Sequence, residues 1–156
     1  MNALTFLDTP IGTLRIEAGE DGIHAVRRMF TPPTEAPRPN DATRRAAAQL
    51  REYFAGTRRA FNLPLAPEGT DFQRAVWAAL TEVPWGETTS YAALARAVGR
   101  PGAARAVGGA VGANPLLILI PCHRVLRIDG ALGGFSAGLD AKRILLAREG
   151  IAVPEP

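Results

Sequence analysis

The segment from Pro121 to Arg124 contains the residues of this sequence best suited to nucleophilic chemistry. Cys122 is the single cysteine, and His123 follows it directly. A thiol becomes a strong nucleophile once a base removes its proton, and imidazole is a suitable base. Neighbouring side chains on a strand point to opposite faces, so contact between the two requires a turn after Pro121 or a bridging water. The pair indicates thiolate chemistry, although a lone cysteine is also compatible with an inert buried residue.

Glu149 is a candidate for orienting the histidine. It lies at the end of the last predicted helix, from about Leu139 to Arg148. A carboxylate in the last turn of a helix opposes the helix dipole, and a functional role would explain that placement. A solvated glutamate explains it as well, and the pattern alone favours that simpler reading.

Composition limits the other kinds of site. One cysteine excludes an internal disulfide, and two histidines are too few for a structural zinc site. No nucleotide, flavin or metal motif is present, so we expect no cofactor and no bound metal. The net charge is +3, and every basic residue except Lys142 is an arginine. Arginine suits phosphate contacts, but a GC-rich genome would produce the same bias, so this signal for nucleic acid is weak.

Length and hydropathy indicate a folded protein of one ordinary or two small domains. The chain has 156 residues, of which 47% are apolar. No apolar run approaches the roughly 18 residues of a membrane span, and the N-terminus lacks a basic region followed by an apolar core. We therefore expect a cytoplasmic protein that does not interact with membranes.

The first part of the chain predicts a small strand-rich α/β domain. Short alternating runs bounded by turn residues predict a meander, and they cover Leu4–Leu7, Thr13–Glu17 and Ile23–Arg28. Helical spacing predicts a helix over Asp41–Phe54, and a further strand is expected over Phe61–Leu65. The segment Ala66–Gly69 is the expected boundary between a domain over residues 1–66 and a second over residues 70–153.

The second part predicts a mostly helical domain. Thr70 and Gln73 have the spacing of a capping box at the start of a helix. Two short helices follow, roughly Tyr91–Val98 and Pro101–Gly112, and they fit either a helix-turn-helix or an ordinary helical hairpin. The second is rich in alanine and glycine around Arg105. Each interior glycine costs about 1 kcal/mol relative to alanine, so another surface, DNA or a neighbouring helix, is expected to approach closely.

The last part of the chain leads into and out of the cysteine segment. Asn114 precedes a proline and ends the second short helix, and the apolar run Leu116–Ile120 is expected to be buried. Asp129-Gly130 is a hairpin dipeptide, flanked by the candidate strands Val125–Ile128 and Ala131–Leu132.

Several sequence blocks resemble the O6-alkylguanine-DNA alkyltransferase family. Ile120–Val125, which reads Ile-Pro-Cys-His-Arg-Val, matches the family signature. Further matching blocks occur in the family's order and extend the resemblance from about Asp71 to Gly150: Pro84–Tyr91, Ala104–Gly109, Ala113–Pro115 and Leu146–Gly150. The N-terminal part resembles the family's variable first domain only loosely. The resemblance implies an α+β protein whose C-terminal domain contains a winged helix-turn-helix.

The resemblance also implies a reaction. These proteins repair DNA by moving an alkyl group from the O6 atom of guanine to one of their own cysteines, once per molecule; the sequence leaves open whether O4-alkylthymine is also a substrate. Cys122 would be the acceptor, activated through water by His123, and Glu149 would complete the relay. Asn114 would brace the turn that joins the DNA-reading helix to the cysteine loop.

The remaining implied roles concern the DNA. Tyr91 would contact a guanine flipped out of the helix, and the backbone around Cys122, Val125 and Ser136 would hydrogen-bond its edge. Arg105 would fill the space left by the extruded base. Flipping is required because sulfur cannot reach the O6 atom of a stacked base, and small residues around Arg105 suit a helix in the minor groove. Phe135 stands where many relatives have tyrosine, which affects the lid of the pocket.

The expected partner is double-stranded DNA carrying O6-alkylguanine, bound by a monomer. Three alternatives are a non-enzymatic alkylguanine-DNA binding protein, a winged-helix regulator and a cysteine hydrolase. The known lesion binders of the family lack the cysteine, a regulator would have no use for the Cys122, His123 and Glu149 set, and a hydrolase would turn over repeatedly.

Overall fold

The computed structural model describes residues 2–153, and within them the chain forms two compact units. The first unit contains the described residues up to Glu68 together with Pro115–Leu117, and the second contains Gly69–Asn114 and the described residues from Ile118 onward. Strands occur mainly in the first unit and helices mainly in the second, as expected for an α+β protein. Within residues 2–153, no helix is long and apolar enough to cross a membrane.

The first unit is built on a three-stranded antiparallel meander. Its strands are β1 (Ala3–Thr9), β2 (Gly12–Gly19) and β3 (Gly22–Arg28), in the order β1-β2-β3. Gly12 has a φ of 97°, which a glycine adopts without steric cost in the tight turn between β1 and β2. Alternate residues of β2 are buried. The meander predicted from the alternating pattern is therefore confirmed.

Helix α1 (Asp41–Phe54) completes the core of the first unit. The side chain of Asn40 caps its N-terminus by accepting from the backbone of Thr43, and the helix buries an apolar face that includes Leu50 and Tyr53. The prediction of a strand over Phe61–Leu65 is wrong, since only an isolated bridge between Ile23 and Leu65 forms there.

Side-chain hydrogen bonds explain why that strand does not form. The amide of Gln49 donates to the carbonyl of Asn62 at 3.0 Å, and its oxygen accepts from the backbone N–H of Asn62 at 2.9 Å. Two residues later, Pro64 has no N–H to offer to a ladder. Side chains therefore satisfy part of the backbone of this segment, and it pairs with β3 only at Ile23, which bonds to the carbonyl of Pro64 and the N–H of Ala66.

The second unit contains helices α2 (Asp71–Thr81), α3 (Tyr91–Ala97), α4 (Ala104–Gly112) and α5 (Leu139–Arg148). The predicted capping box of Thr70 and Gln73 starts α2. The indole N–H of Trp77 donates to the carbonyl of Ala110 at 2.8 Å, which ties α2 to α4. The winged helix-turn-helix stays a prediction.

The chain around Asp129-Gly130 departs from the expected hairpin. A turn forms, with the N–H of Gly130 donating to the carbonyl of Arg127 at 2.9 Å, but no antiparallel ladder follows it. Strand β5 (Val125–Leu126) instead pairs in parallel with β4 (Thr89–Ser90). The carbonyls of Leu132 and Gly134 accept from the ammonium of Lys142, so a side chain takes the place of the second strand.

Candidate active site

A short irregular segment presents Cys122 at the start of a 3-10 turn, Cys122–Arg124. Ile118 has a φ of 72°, which is unfavourable for a β-branched residue, and it is fully enclosed. The N–H of Cys122 donates to the carbonyl of Ile120 at 2.7 Å, and the side-chain N–H of Asn114 donates to the same carbonyl at 2.8 Å. The chain therefore turns at Pro121, as contact between Cys122 and His123 requires.

The thiol of Cys122 is buried, with a residue exposure of 3%. Burial raises the pKa of Cys122 to about 11, and this increase is opposed by a hydrogen bond from Asn114 and by the charge of Lys142. At pH 7 such a group is a thiolate in roughly one molecule in ten thousand. The sulfur therefore needs a base that removes its proton during the reaction.

His123 and Glu149 form a buried pair. The Nε2 atom of His123 lies 2.6 Å from the Oε2 atom of Glu149, and both side chains have no solvent exposure. Burial lowers the pKa of His123, against the opposing effect of Glu149, and the charges of Arg124 and Lys142 lower it further. The imidazole is therefore neutral at pH 7 and able to accept a proton.

Arg124 is a member of this cluster that the sequence analysis missed. Its Nε and Nη2 atoms donate to the two carboxylate oxygens of Glu149 at 2.7 and 3.0 Å, and its Nη1 atom donates to the carbonyl of Val83 at 2.7 Å. The pairing explains how a carboxylate is tolerated at the C-terminus of α5. The signal in the sequence was a second basic residue directly after the Cys-His pair.

Lys142 is a second missed residue. It is fully buried, and its ammonium donates to the carbonyls of Val125, Leu132 and Gly134. Burial lowers its pKa to about 8, while the charge of Cys122 raises it. Its position on the buried face of α5, three residues before Leu145, could have indicated a role. The lysine connects the residue after the 3-10 turn to the loop that follows.

A pocket of about 330 Å³ lies between α3, α4 and that loop, and a volume of this size is typical of small-molecule sites. Tyr91 is half-buried in it, and its hydroxyl is hydrogen-bonded to the backbone of Gly134. Burial raises the pKa of Tyr91, and so does the charge of Cys122. The lining residues are Tyr91, Gly108, Val111, Gly112, Gly134, Phe135 and Ser136.

Arg105 lies in the first turn of α4 and is exposed. Gly109 and Gly112 follow it at helical spacing, and a Cβ atom added to either glycine would meet no other atom within 4 Å. The face of α4 that contains these three residues is therefore open to a partner. The predicted site residues fall into two groups. One cluster contains Asn114, Cys122, His123 and Glu149, and the pocket is lined by Tyr91, Phe135 and Ser136. The carbonyl of Val125 accepts from Lys142, and Arg105 lies in neither the cluster nor the pocket.

Two family models together account for nearly the whole chain. The DNA binding domain of 6-O-methylguanine DNA methyltransferase matches residues 71–151, and the ribonuclease-like domain of the same protein matches residues 3–67. This chain belongs to the O6-methylguanine-DNA methyltransferase family. The cysteine segment of this chain, Ile120–Val125, lies within the first of these two matches.

Individual relatives agree with the family assignment. The methylated-DNA--protein-cysteine methyltransferase of Methanosarcina acetivorans is 42% identical over 148 residues, which cover 92% of this chain and 95% of the relative. A crystal structure of Mycobacterium tuberculosis O6-methylguanine methyltransferase has a TM-score of 0.87 at 40% identity and covers 99% and 97% of the two chains. A structure of Mycobacterium tuberculosis OGT in complex with DNA has a TM-score of 0.83 at 43% identity and covers 92% and 90%.

Proposed function

We propose that this member of the methyltransferase family repairs DNA by transferring an alkyl group from the O6 atom of guanine to the sulfur of Cys122. The observation that carries the proposal is the buried thiol of Cys122 beside a neutral His123 that is hydrogen-bonded to Glu149. A base of this kind is what a thiol with a pKa of about 11 requires. The family match supplies the alkylated base as substrate.

The transfer is a displacement at the alkyl carbon. The proton of the thiol moves to His123, and the sulfur electron pair forms a bond to the alkyl carbon. The carbon–oxygen bond breaks, its electron pair stays on O6, and the guanine regains a proton from the surrounding groups or solvent. The product is a thioether, which lacks the carbonyl that water attacks in an acyl-enzyme, so each chain reacts once.

The substrate reaches the sulfur as a flipped base. Cys122 is enclosed, and a base inside a duplex cannot present its O6 atom to an enclosed sulfur. We assign the pocket of Tyr91, Phe135 and Ser136 to the extruded guanine, with the backbone of Cys122, Val125 and Ser136 at its edge. Arg105 enters the base stack from the open face of α4, and the glycines on that face permit close approach to the minor groove.

The proposed function also includes a DNA partner, an oligomeric state and a cellular location. The winged helix-turn-helix, made by α3, α4 and the chain after β5, docks on double-stranded DNA carrying O6-alkylguanine, and the protein binds as a monomer. A free thiol stays reduced in the cytoplasm, so repair takes place there. Asn114 braces the cysteine segment through its bond to Ile120.

Transfer of a labelled alkyl group tests the proposal. Duplex DNA containing O6-methylguanine with an isotopically labelled methyl group is mixed with the wild-type protein, and the label is followed into the protein fraction while DNA binding is measured in parallel. Label that appears in the protein supports the proposal. Binding without label in the protein would contradict it and would favour a non-enzymatic lesion binder.

A further inference from the structure

The arrangement of donors around Glu149 determines which ring nitrogen of His123 can act as a base. The guanidinium of Arg124 donates to both carboxylate oxygens, and the N–H of Gly86 donates to Oε1 at 3.3 Å. A two-donor fork of this kind matches an ionised carboxylate, which accepts hydrogen bonds and donates none. Glu149 is therefore an acceptor in all of these contacts.

An acceptor at Glu149 fixes the tautomer of His123. Since Oε2 of Glu149 lies 2.6 Å from Nε2 of His123, the proton between them belongs to Nε2. In the neutral ring Nδ1 then has no proton and presents a lone pair. Nδ1 is buried, and no residue of the described chain hydrogen-bonds to it. Arg124 bonds to Glu149, and Glu149 bonds to Nε2 of His123. Through these contacts Arg124 determines that Nδ1 is the ring nitrogen left as acceptor.

The charges of the buried cluster lead to the same residue. Four titratable groups surround His123: Cys122 and Arg124 on its own 3-10 turn, and Lys142 and Glu149 at α5. The carboxylate of Glu149 is balanced by Arg124 at 2.7 Å. Without Arg124, the charge of the buried carboxylate would act on His123 alone and raise the pKa of the imidazole. His123 would then be an imidazolium over a wider pH range.

We propose that Arg124 is a positioning residue that balances the charge of Glu149 and keeps His123 in the neutral Nε2–H tautomer, so that Nδ1 accepts the proton leaving the Cys122 thiol. The inference rests on the proposed function for the identity of the proton donor. The proton moves from Sγ to Nδ1 through a bridging water, and no bond of Arg124 is made or broken. Arg124 acts through Glu149 and does not touch the reacting atoms.

Nitrogen-15 NMR of the histidine rings tests the tautomer. The chain has two histidines, and His24 contacts Asp21 in the first unit, so it serves as an internal reference. We expect the wild-type His123 to give the Nε2–H pattern at pH 7, and the His123 ring of Arg124→Met to become doubly protonated at a higher pH than in wild type, while the pattern of His24 is unchanged. A wild-type Nδ1–H pattern, or an Arg124→Met titration of His123 identical to wild type, would overturn the proposal.

The pH dependence of single-turnover transfer is the second readout. In Arg124→Met we expect the acid limb of the profile to move up by about one pH unit, which corresponds to about a tenfold lower rate at fixed pH on that limb. Arg124→Lys keeps the charge but loses the fork, so its shift should be smaller. Should Arg124→Met not fold, Arg124→Gln, which also removes the charge, is judged by the same criteria.

A control separates positioning from general destabilisation. Val76 is fully buried in α2, and Val76→Ala lowers stability within the same unit without altering a charge. We expect it to leave the pH profile unchanged, and an equal shift in Val76→Ala would overturn the proposal. The NMR measurement does not depend on DNA, so it tests the tautomer of His123 independently of alkyl transfer. A wild-type protein that fails to transfer alkyl groups would contradict the proposed function, and the NMR spectra would still decide the tautomer.

Discussion

The two units of this protein differ in how they treat polar groups. Among its described residues, the first unit buries two polar side chains, Thr43 and Gln49, both uncharged, and it has arginine–carboxylate pairs at the surface, such as Arg15 with Glu35 at 2.9 Å. In the second unit, four ionisable side chains other than Cys122 are buried among the described residues: His123, Arg124, Lys142 and Glu149.

That difference indicates which unit contains the chemistry. Removing a charge from water costs several kcal/mol even when it is paired, and a well-packed apolar core of the same volume is often as stable or more so. Stability therefore gives no reason to collect four ionisable groups in one place. Lys142 acts on the single cysteine of the chain through its charge, and His123, which follows that cysteine directly, is paired with Glu149.

The largest expected effect comes from the nucleophile itself. Cys122→Ala should abolish alkyl transfer completely, because no second cysteine is present. Affinity for duplex DNA should be nearly unchanged, since the thiol makes no phosphate contact. A transfer assay and a binding titration on the same preparation check both statements, and any residual transfer to protein in the variant would contradict the assignment of Cys122.

Glu149→Gln should affect both stability and transfer. The amide leaves Arg124 buried without a charged partner, and breaking a buried ion pair in this way costs about 3–5 kcal/mol. His123 also loses the carboxylate that raises its pKa, so it becomes a weaker base: transfer should slow, and the acid limb of the pH–rate profile should move to lower pH. Urea unfolding and a pH–rate profile measure the two effects, and a stability equal to wild type would show that the pair is not buried in solution.

Arg105→Ala should separate DNA opening from chemistry. The residue is exposed on α4 and apart from the sulfur cluster, so reaction with free O6-alkylguanine base should be unchanged. Repair of duplex DNA should fall by one to two orders of magnitude, about the cost of unstacking one base. Single-turnover rates on the two substrates are the measurement. Equal losses on both would place the function of Arg105 elsewhere.

Acidification should weaken the protein through His123. Burial lowers its pKa in the folded state below the ordinary 6.5, so the unfolded chain binds this proton first as pH falls. The stability that neutral His123 contributes to the folded state is fully present above about pH 6.5, and it is lost as the pH falls below that value. We expect the free energy of unfolding to decrease with pH below that value, and His123→Asn to reduce the slope. An identical slope in the variant would mean that another group is responsible.

The smallest effect is expected in the first unit. Glu35 is exposed and pairs with Arg15 and Arg38 at the surface, where ion pairs contribute little. Glu35→Gln should leave both transfer and the midpoint of urea unfolding unchanged within error. It is the matched control for Glu149→Gln, because the chemical change is the same and only the burial differs.

Sequence patterns within a few residues predicted most of the secondary structure. They did not predict side-chain contacts between residues that are far apart in the sequence. The meander, the helix over Asp41–Phe54 and the cap at Thr70 depend on neighbours within a few residues, and all three are present. Arg124 escaped because its partner Glu149 lies 25 residues away and charged residues are usually exposed.

The same reason explains the two strands that were predicted wrongly. Gln49 satisfies the backbone of Asn62 from 13 residues away, and Lys142 takes up the carbonyl of Leu132 from 10 residues away. Periodicity within a segment contains no information about such distant donors. The roles of the individual site residues, the winged helix-turn-helix and the domain limits stay predictions that the experiments above address.

The stoichiometry of repair tests the central claim most directly. The wild-type protein is incubated with a large excess of duplex DNA carrying O6-methylguanine, the repaired lesions are counted against protein molecules, and the protein is digested for mass spectrometry. We predict at most one repaired lesion per chain, with one added methyl group on the peptide that contains Cys122. Continued turnover beyond one lesion per chain, or a methyl group on any other residue, would contradict it.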